Sequence, residues 1–183
     1  MSRNVAKPGT GDQELPGVAV QLVVESNSEL AVRFLSEWLC DSEAEARRYL
    51  AEHVEPGGVS LIATSGAEVV GYVAIVWESR YAGFRSRAIP LLHQIVVSER
   101  WRQRGVATLL MNEAEQLVIE RGIATLGITV GLFDAYGPAQ RMYAQRGYIP
   151  DGRGACQDQR PLSEGAHVRL DHDVMLWLTK ELA

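Results

Sequence analysis

Arg100, Arg102 and Arg104 lead directly into Gly105-Val106-Ala107-Thr108. The order predicts the end of a strand, a basic loop and a helix that begins at Gly105. A helix N-terminus leaves amide N–H groups unpaired and carries a partial positive charge, so it can hold an anion, most often a phosphate. Small residues at 105 and 107 would let a ligand approach the backbone, and Thr108 offers a hydroxyl. By itself R-x-x-G-x-A carries little. Arginines before a helix are commonly just solvated, and the stretch is neither G-x-G-x-x-G nor a P-loop. One strand further on, Tyr143 sits in Tyr136-Gly-Pro-Ala139-Gln-Arg-Met-Tyr143-Ala-Gln-Arg-Gly147-Tyr148. A phenol of pKa about 10 can give its proton to an anion that forms beside it; the other reading is that the ring only packs.

Candidate bases lie near strand ends. Glu78 follows an apolar strand, His93 lies in the strand before the basic loop, and Asp134 follows the next strand. The histidine titrates in a useful range, although a lone histidine in an apolar strand is more often a core residue. Glu78 and Asp134 have solvated surface as their alternative. Cys156 has no evident basic partner and reads as an idle thiol.

The elements that would position these groups follow from periodicity. Strands are expected at Val18–Glu25, Val59–Thr64, Val69–Trp77, Leu91–Val97, Thr125–Leu132 and Val174–Leu178. The last is apolar on both faces and should be buried in a sheet. Helices are expected at Glu29–Leu39 behind Ser28, at Glu43–His53 behind Ser42, at Gly105–Arg121 and from Gly137-Pro138 to Arg146. Pro56-Gly57-Gly58 should stop the second helix. Arg80–Arg87 reads as a basic irregular connection, either a mobile loop or an acceptor wall built on Tyr81 and Phe84. Residues 158–167 read as a loop. Interleaved helices and strands give an α/β domain. Residues 1–16, with Pro8, Gly9, Gly11 and Pro16, read as a flexible tail ahead of a single domain at 17–183.

Composition bounds the function. The chain has 183 residues, 46% of them hydrophobic, and a net charge of -5. That length suits about one domain, and the apolar content excludes wholesale disorder. Net acidity argues against a nucleic-acid partner, so an anionic ligand needs a local basic patch. No apolar run approaches the roughly 20 residues of a membrane span, and no secretory leader is evident, so no membrane partner is expected. Two cysteines, Cys40 and Cys156, make neither a disulfide framework nor a metal cluster; free thiols in the cytoplasm are expected, with no metal.

The two motifs together, in order and one strand apart, resemble the GNAT superfamily of N-acetyltransferases. These use R/Q-x-x-G-x-G/A for the pyrophosphate of acetyl-CoA, matched at Arg102 to Ala107. They also carry A-x-x-x-Y-x-x-x-G-F/Y, matched at Ala139, Tyr143, Gly147 and Tyr148. The resemblance runs from about Val59 to Asp151. It implies a mixed, mostly antiparallel central sheet of about seven strands flanked by about four helices. It also implies that acetyl-CoA is held by Ile95, Val96 and Val97 through their backbones, by Arg102, Gln103, Arg104, Gly105, Val106, Ala107 and Thr108, and by Ala139 and Tyr143. Tyr143 would be the acid at the CoA sulfur, with Glu78 or His93 as base. Two positions depart from the pattern: Gln103 where a small residue is usual, and Tyr136 where an asparagine often meets pantetheine. The implied reaction moves acetyl from acetyl-CoA to a primary amine of a small molecule or peptide by direct attack in a ternary complex. A non-catalytic acyl-CoA-binding regulator of the same fold and an unrelated phosphate or nucleotide binder are the alternatives. An exposed sheet edge would allow a homodimer.

Overall fold

A computed structural model gives the fold and describes Leu15, residues 17–54 and residues 57–182. The expected tail therefore lies, but for Leu15, outside the described residues, as does Pro56. The strands are β1 (Val18–Leu22), β2 (Gly58–Ser65), β3 (Glu68–Val76), β4 (Leu91–Val97), β5 (Thr125–Gly131), β6 (Ile149–Pro150), β7 (Cys156–Gln157), β8 (Arg160–Pro161) and β9 (Val174–Glu181). The helices are α1 (Ser28–Trp38), α2 (Glu43–Glu52), α3 (Ala82–Arg85), α4 (Val106–Glu120) and α5 (Gly137–Gln145).

All nine strands join one sheet in the order β1-β2-β3-β4-β5-β9-β7-β8, with β6 also against β9. Every pairing is antiparallel except β4 with β5. The mixed, mostly antiparallel sheet is thus as expected. Six of the nine are five residues or longer, and the other three are two-residue pieces. One of them, β8, corrects part of the loop expected at 158–167: it pairs with β7 through a tight turn whose central residues, Asp158 and Gln159, take φ of 48° and 67°. Such hairpin turns favour Asn-Gly or Asp-Gly, so Asp-Gln gives no sequence signal.

Helices cover both faces. On one, α4 packs through Val106, Leu110, Met111, Ala114 and Val118 onto Leu61, Val73, Leu92, Leu126 and Ile128. It approaches closely because β3 has Gly71 beneath it. A Cβ there would come within 2.9 Å of Val106 Cγ1 and 3.0 Å of Leu110 Cδ1. On the other face, Ala31, Val32, Phe34 and Leu35 of α1 and Ala46 and Leu50 of α2 cover Ile62, Tyr72 and Ala74. Ser42 caps α2 as expected, accepting from Glu45 N. Ser28 does not cap α1; Asn27 is its N-cap residue, and Ser28 Oγ donates to Glu25 O.

The segment at 80–87 is neither a mobile loop nor an acceptor wall. Tyr81 and Phe84 are each 1% exposed and sit with α3 on a third apolar cluster under Trp177. The Tyr81 ring stacks on Trp177 at 3.8 Å, and its hydroxyl donates to Asp151 Oδ2 at 2.7 Å. Phe84 lies over Gly127, where a Cβ would come within 2.1 Å of the ring. Spaced three apart, the two aromatics fall on one face of a single helical turn, which a charge-based reading overlooks.

One buried polar network ties α4 to the C-terminal half. Glu115 is 8% exposed. Its carboxylate accepts from Lys180 Nζ at 2.6 Å, from Arg146 at 2.9 Å and from the Tyr148 hydroxyl at 3.1 Å. Removing only the carboxylate would strand two cations near the core. Glu115→Ala is therefore expected to cost about 3 kcal/mol, read as a lower denaturant midpoint at unchanged m-value. A change near zero would mean that solvent already screens the network.

Candidate active site

Strand β4 makes the site by leaving its neighbour. It pairs with β5 only at Leu91↔Gly127 and Leu92↔Ile128, although both strands run for seven residues. Gln94 has φ of 54°, and the β3–β4 register shifts beside it. A bulge of this kind bends a strand away from its partner. From His93 to Val97 the β5-side edge of β4 pairs with no strand among the described residues. Exposed strand edges bind extended, amide-rich chains, and Ile95, Val96 and Val97 lie on this unpaired stretch.

The two faces of this opening differ. Ile95 and Val97 turn toward the α4 side, where Tyr143 is packed with Leu92 and Val130. Tyr143 is 6% exposed, and burial first, then Tyr136, pushes its phenol well above the ordinary value. It is held neutral, the form in which it can donate. Its helix is pinned to β5 by Gln140, which donates to Gly131 O at 2.7 Å.

His93 turns toward α2. It sits one residue past the last β4–β5 pair, opposite Ala74 of β3, at the apex of the opening. Tyr49 of α2 and His53, the residue that ends this helix, meet it there: the Tyr49 hydroxyl is 3.2 Å and His53 Nε2 is 3.3 Å from His93 Nδ1. Desolvation first, then His53 and Arg80, lower the His93 pKa to about 4. The imidazole is thus neutral at ordinary pH. The sequence reading missed Tyr49 and His53. Their spacing of four puts them on one helix face, but only the tertiary fold brings that face to β4.

The other candidate bases are not brought to the apex. Glu78 is exposed beyond the end of β3. It follows Ala74 by roughly 3.3 Å per residue, about 13 Å along the strand from the level of His93. Asp134 is exposed in the turn after β5 and accepts from Ala135 N.

Beyond Val97 the chain reaches the basic loop. Arg102 Nε donates to Val97 O at 3.2 Å, and the Arg104 guanidinium lies 5.5 Å from the Trp101 ring centroid. Gly105 is the N-cap residue of α4 with φ of 94°, a left-handed conformation that favours glycine. Among the described residues no side chain caps the helix, so the first-turn amides, through Thr108, can serve another acceptor. Gln103 also has positive φ, 59°, which accounts for the small residue usual there. Tyr136 replaces the usual asparagine differently. Its ring covers Gly131, and its hydroxyl is 3.1 Å from His172 Nδ1.

An unpaired strand edge, a helix start with free amides and adjacent arginines fit an elongated ligand with amides at one end and phosphates at the other. Coenzyme A has that shape. No cluster of three or more metal-ligating side chains occurs among the described residues, and none of their helices is long and apolar enough to cross a membrane.

Comparison with known proteins agrees with this geometry. Residues 24–148 match the family model for acetyltransferases of the GNAT family. A search of curated sequences returns no match. Among solved structures, a GNAT-family acetyltransferase from Streptococcus pneumoniae superposes with a TM-score of 0.65 at 19% identity, covering 90% of this chain and 99% of that one. The ribosomal-protein-S18-alanine N-acetyltransferase from Escherichia coli gives 0.64 at 12% identity, covering 91% and 94%. An aminoglycoside 6'-N-acetyltransferase complexed with coenzyme A gives 0.63 at 17% identity, covering 90% and 97%. At such identities these structures speak to the fold. The family match spans more than half of the sequence: the chain belongs to the GNAT acetyltransferase family and is an acetyl-CoA-dependent acyltransferase.

Proposed function

We propose that this protein moves an acetyl group from acetyl-CoA to a primary amine by direct attack, with His93 as base and Tyr143 as acid. One observation carries the reading. The opening between β4 and β5 has a neutral imidazole on its α2 side and a neutral phenol on its α4 side. Amine acetylation needs both: a proton must leave the nucleophile, and one must reach the departing thiolate.

Acetyl-CoA would lie with its pyrophosphate on the amides and arginines of 102–108 and its pantetheine along Ile95, Val96 and Val97, with Ala139 and Tyr143 near the sulfur. The thioester supplies an activated acyl group. A backbone N–H of the free β4 edge would polarise its carbonyl and stabilise the oxyanion. The amine would approach from the α2 side. Glu78, exposed further along that sheet, would attract a cationic amine rather than take its proton. Cys40 and Cys156 are free thiols, in keeping with a cytoplasmic setting. Burial raises the Cys156 thiol pKa, which disfavours a covalent acyl-cysteine route.

The relatives include enzymes named for aminoglycosides and for a ribosomal-protein alanine. Small-molecule amines and peptide N-termini are therefore the two acceptor classes to screen. Acetyl-CoA is incubated with a polyamine, an aminoglycoside, free lysine and a peptide with an N-terminal alanine, and products are read by mass spectrometry. An acetylated amine supports the reading. Acetyl-CoA binding with no acetylated product from any amine sinks it and favours the regulator. Tighter calorimetric binding of ATP than of acetyl-CoA would remove the whole placement of the cofactor.

A further inference from the structure

The Tyr49–His53–His93 cluster does more than place one base. His53 Nδ1 lies 2.6 Å from the Tyr49 backbone oxygen. A carbonyl can only accept, so Nδ1 carries the hydrogen and donates. In neutral His53 that leaves Nε2 with a bare lone pair. His93 Nδ1, 3.3 Å away, donates to it in the arrangement where the Tyr49 hydroxyl, 3.2 Å from the same nitrogen, accepts rather than donates. His93 Nδ1 therefore carries the hydrogen, and its Nε2 is bare. No hydrogen bond engages that Nε2 among the described residues. One backbone carbonyl thus sets two tautomers in series and leaves the far end of the series as a free base. The rings are held for this: the imidazoles stack at 5.3 Å and 16°, and Tyr49 stacks on His53 at 4.2 Å. His53 is 7% exposed.

We propose that His93 and His53 form a two-imidazole relay that draws the proton from the amine at His93 Nε2 and passes another from His93 Nδ1 to His53 Nε2. This rests on the amine-acetylation reading above and names how its base works. The balance is closed. An ammonium acceptor loses two protons as its N–C bond forms. One leaves through the relay, making His53 an imidazolium; its Nε2 proton then returns to His93 Nδ1 as the His93 Nε2 proton is released to the cleft, which restores both resting tautomers. The other replaces the proton that Tyr143 gives to the CoA sulfur as the C–S bond breaks. Burial first, then His53 and Arg80, disfavour a cation at His93. The groups facing His93 are Tyr49 of α2, His53 at its C-terminal end, Tyr72 of β3 through Tyr49, and Arg80, whose guanidinium pairs with Glu52 at 3.8 Å. His53 acts through His93, so it is a positioning and proton-accepting residue rather than one that touches substrate.

Two measurements test this. In the resting wild-type protein at neutral pH, histidine 15N shifts report each ring nitrogen. The relay requires protonated Nδ1 and bare Nε2 on both His53 and His93; a protonated Nε2 on His93 overturns it. This readout needs no turnover, so it stands even if no amine is acetylated and the functional reading fails. The second is His53→Gln, whose side-chain oxygen can still accept from His93 Nδ1 but cannot take the proton. Its kcat is expected to fall about tenfold with acetyl-CoA affinity unchanged. The acid limb of kcat/KM for the amine should move to higher pH, because His53 no longer lowers the pKa of His93. A uniform loss with an unmoved limb would mean that His53 is only structural, and the relay would be wrong.

Discussion

Tyr143→Phe is expected to lower kcat about a hundredfold, the scale of a lost general acid, while leaving acetyl-CoA affinity unchanged. The substitution removes one oxygen from a ring that is 6% exposed and packed with Leu92, Val130 and Tyr148. Phenylalanine fits the same space, so the fold should hold. Burial keeps the phenol protonated well above its ordinary pKa, and donation to a thiolate is possible because that thiolate forms against it. In the ground state the hydroxyl meets a thioester sulfur, a poor acceptor, so binding should hardly register its loss. The effect belongs to kcat. Stopped-flow thiol release gives kcat, and calorimetry gives the affinity. A wild-type rate would remove Tyr143 as the acid and leave it as packing.

Gly105→Asp is expected to weaken acetyl-CoA binding by at least about a hundredfold, a loss of roughly 2.7 kcal/mol. Gly105 starts α4 with φ of 94°, and a Cβ there would meet only Leu15 Cδ1, at 3.9 Å. Space is available, and aspartate tolerates left-handed backbone better than most residues. The protein should therefore fold. What changes is the sign of the charge among the free first-turn amides, where the account puts a pyrophosphate. Gly105→Ala separates the causes, since it carries the strain without the charge. A small effect from alanine and a large one from aspartate is the expected pattern. Wild-type affinity in the aspartate variant would refute the placement of the loop.

Much of this was legible in the sequence because the signals are local. Gly105 and the arginines mark a helix start, Gly147 ends α5, and the apolar run of β9 reads as a buried strand. Each depends on backbone preference or periodicity within a few residues. What stayed hidden depends on meetings across the sheet. Tyr81 and Phe84 read as part of a mobile loop or an acceptor wall because their partner, Trp177, lies far along the chain. Asp158-Gln159 turns a hairpin without the residues that usually announce one. The base was ambiguous for the same reason: Glu78 and His93 both end up near strand termini in sequence, but register separates them. His93 sits where β4 and β5 part, and Glu78 lies beyond the far end of β3. The bulge at Gln94 that opens the cleft has no glycine to signal it.

The net charge of -5 also takes on a location. Arg100, Arg102 and Arg104 reverse it locally around one helix start, which is enough for one polyanionic cofactor. The acidic surplus lies elsewhere, the exposed Glu78 among it.

The central claim is direct transfer from acetyl-CoA to an amine with both bound at once. Initial rates of CoA thiol release, with acetyl-CoA and the best amine varied together, test it most directly. The account predicts release that depends on the amine, with double-reciprocal lines that intersect, as a ternary complex requires. Parallel lines would indicate an acyl-enzyme, and release that ignores the amine would indicate hydrolysis; either result contradicts the account.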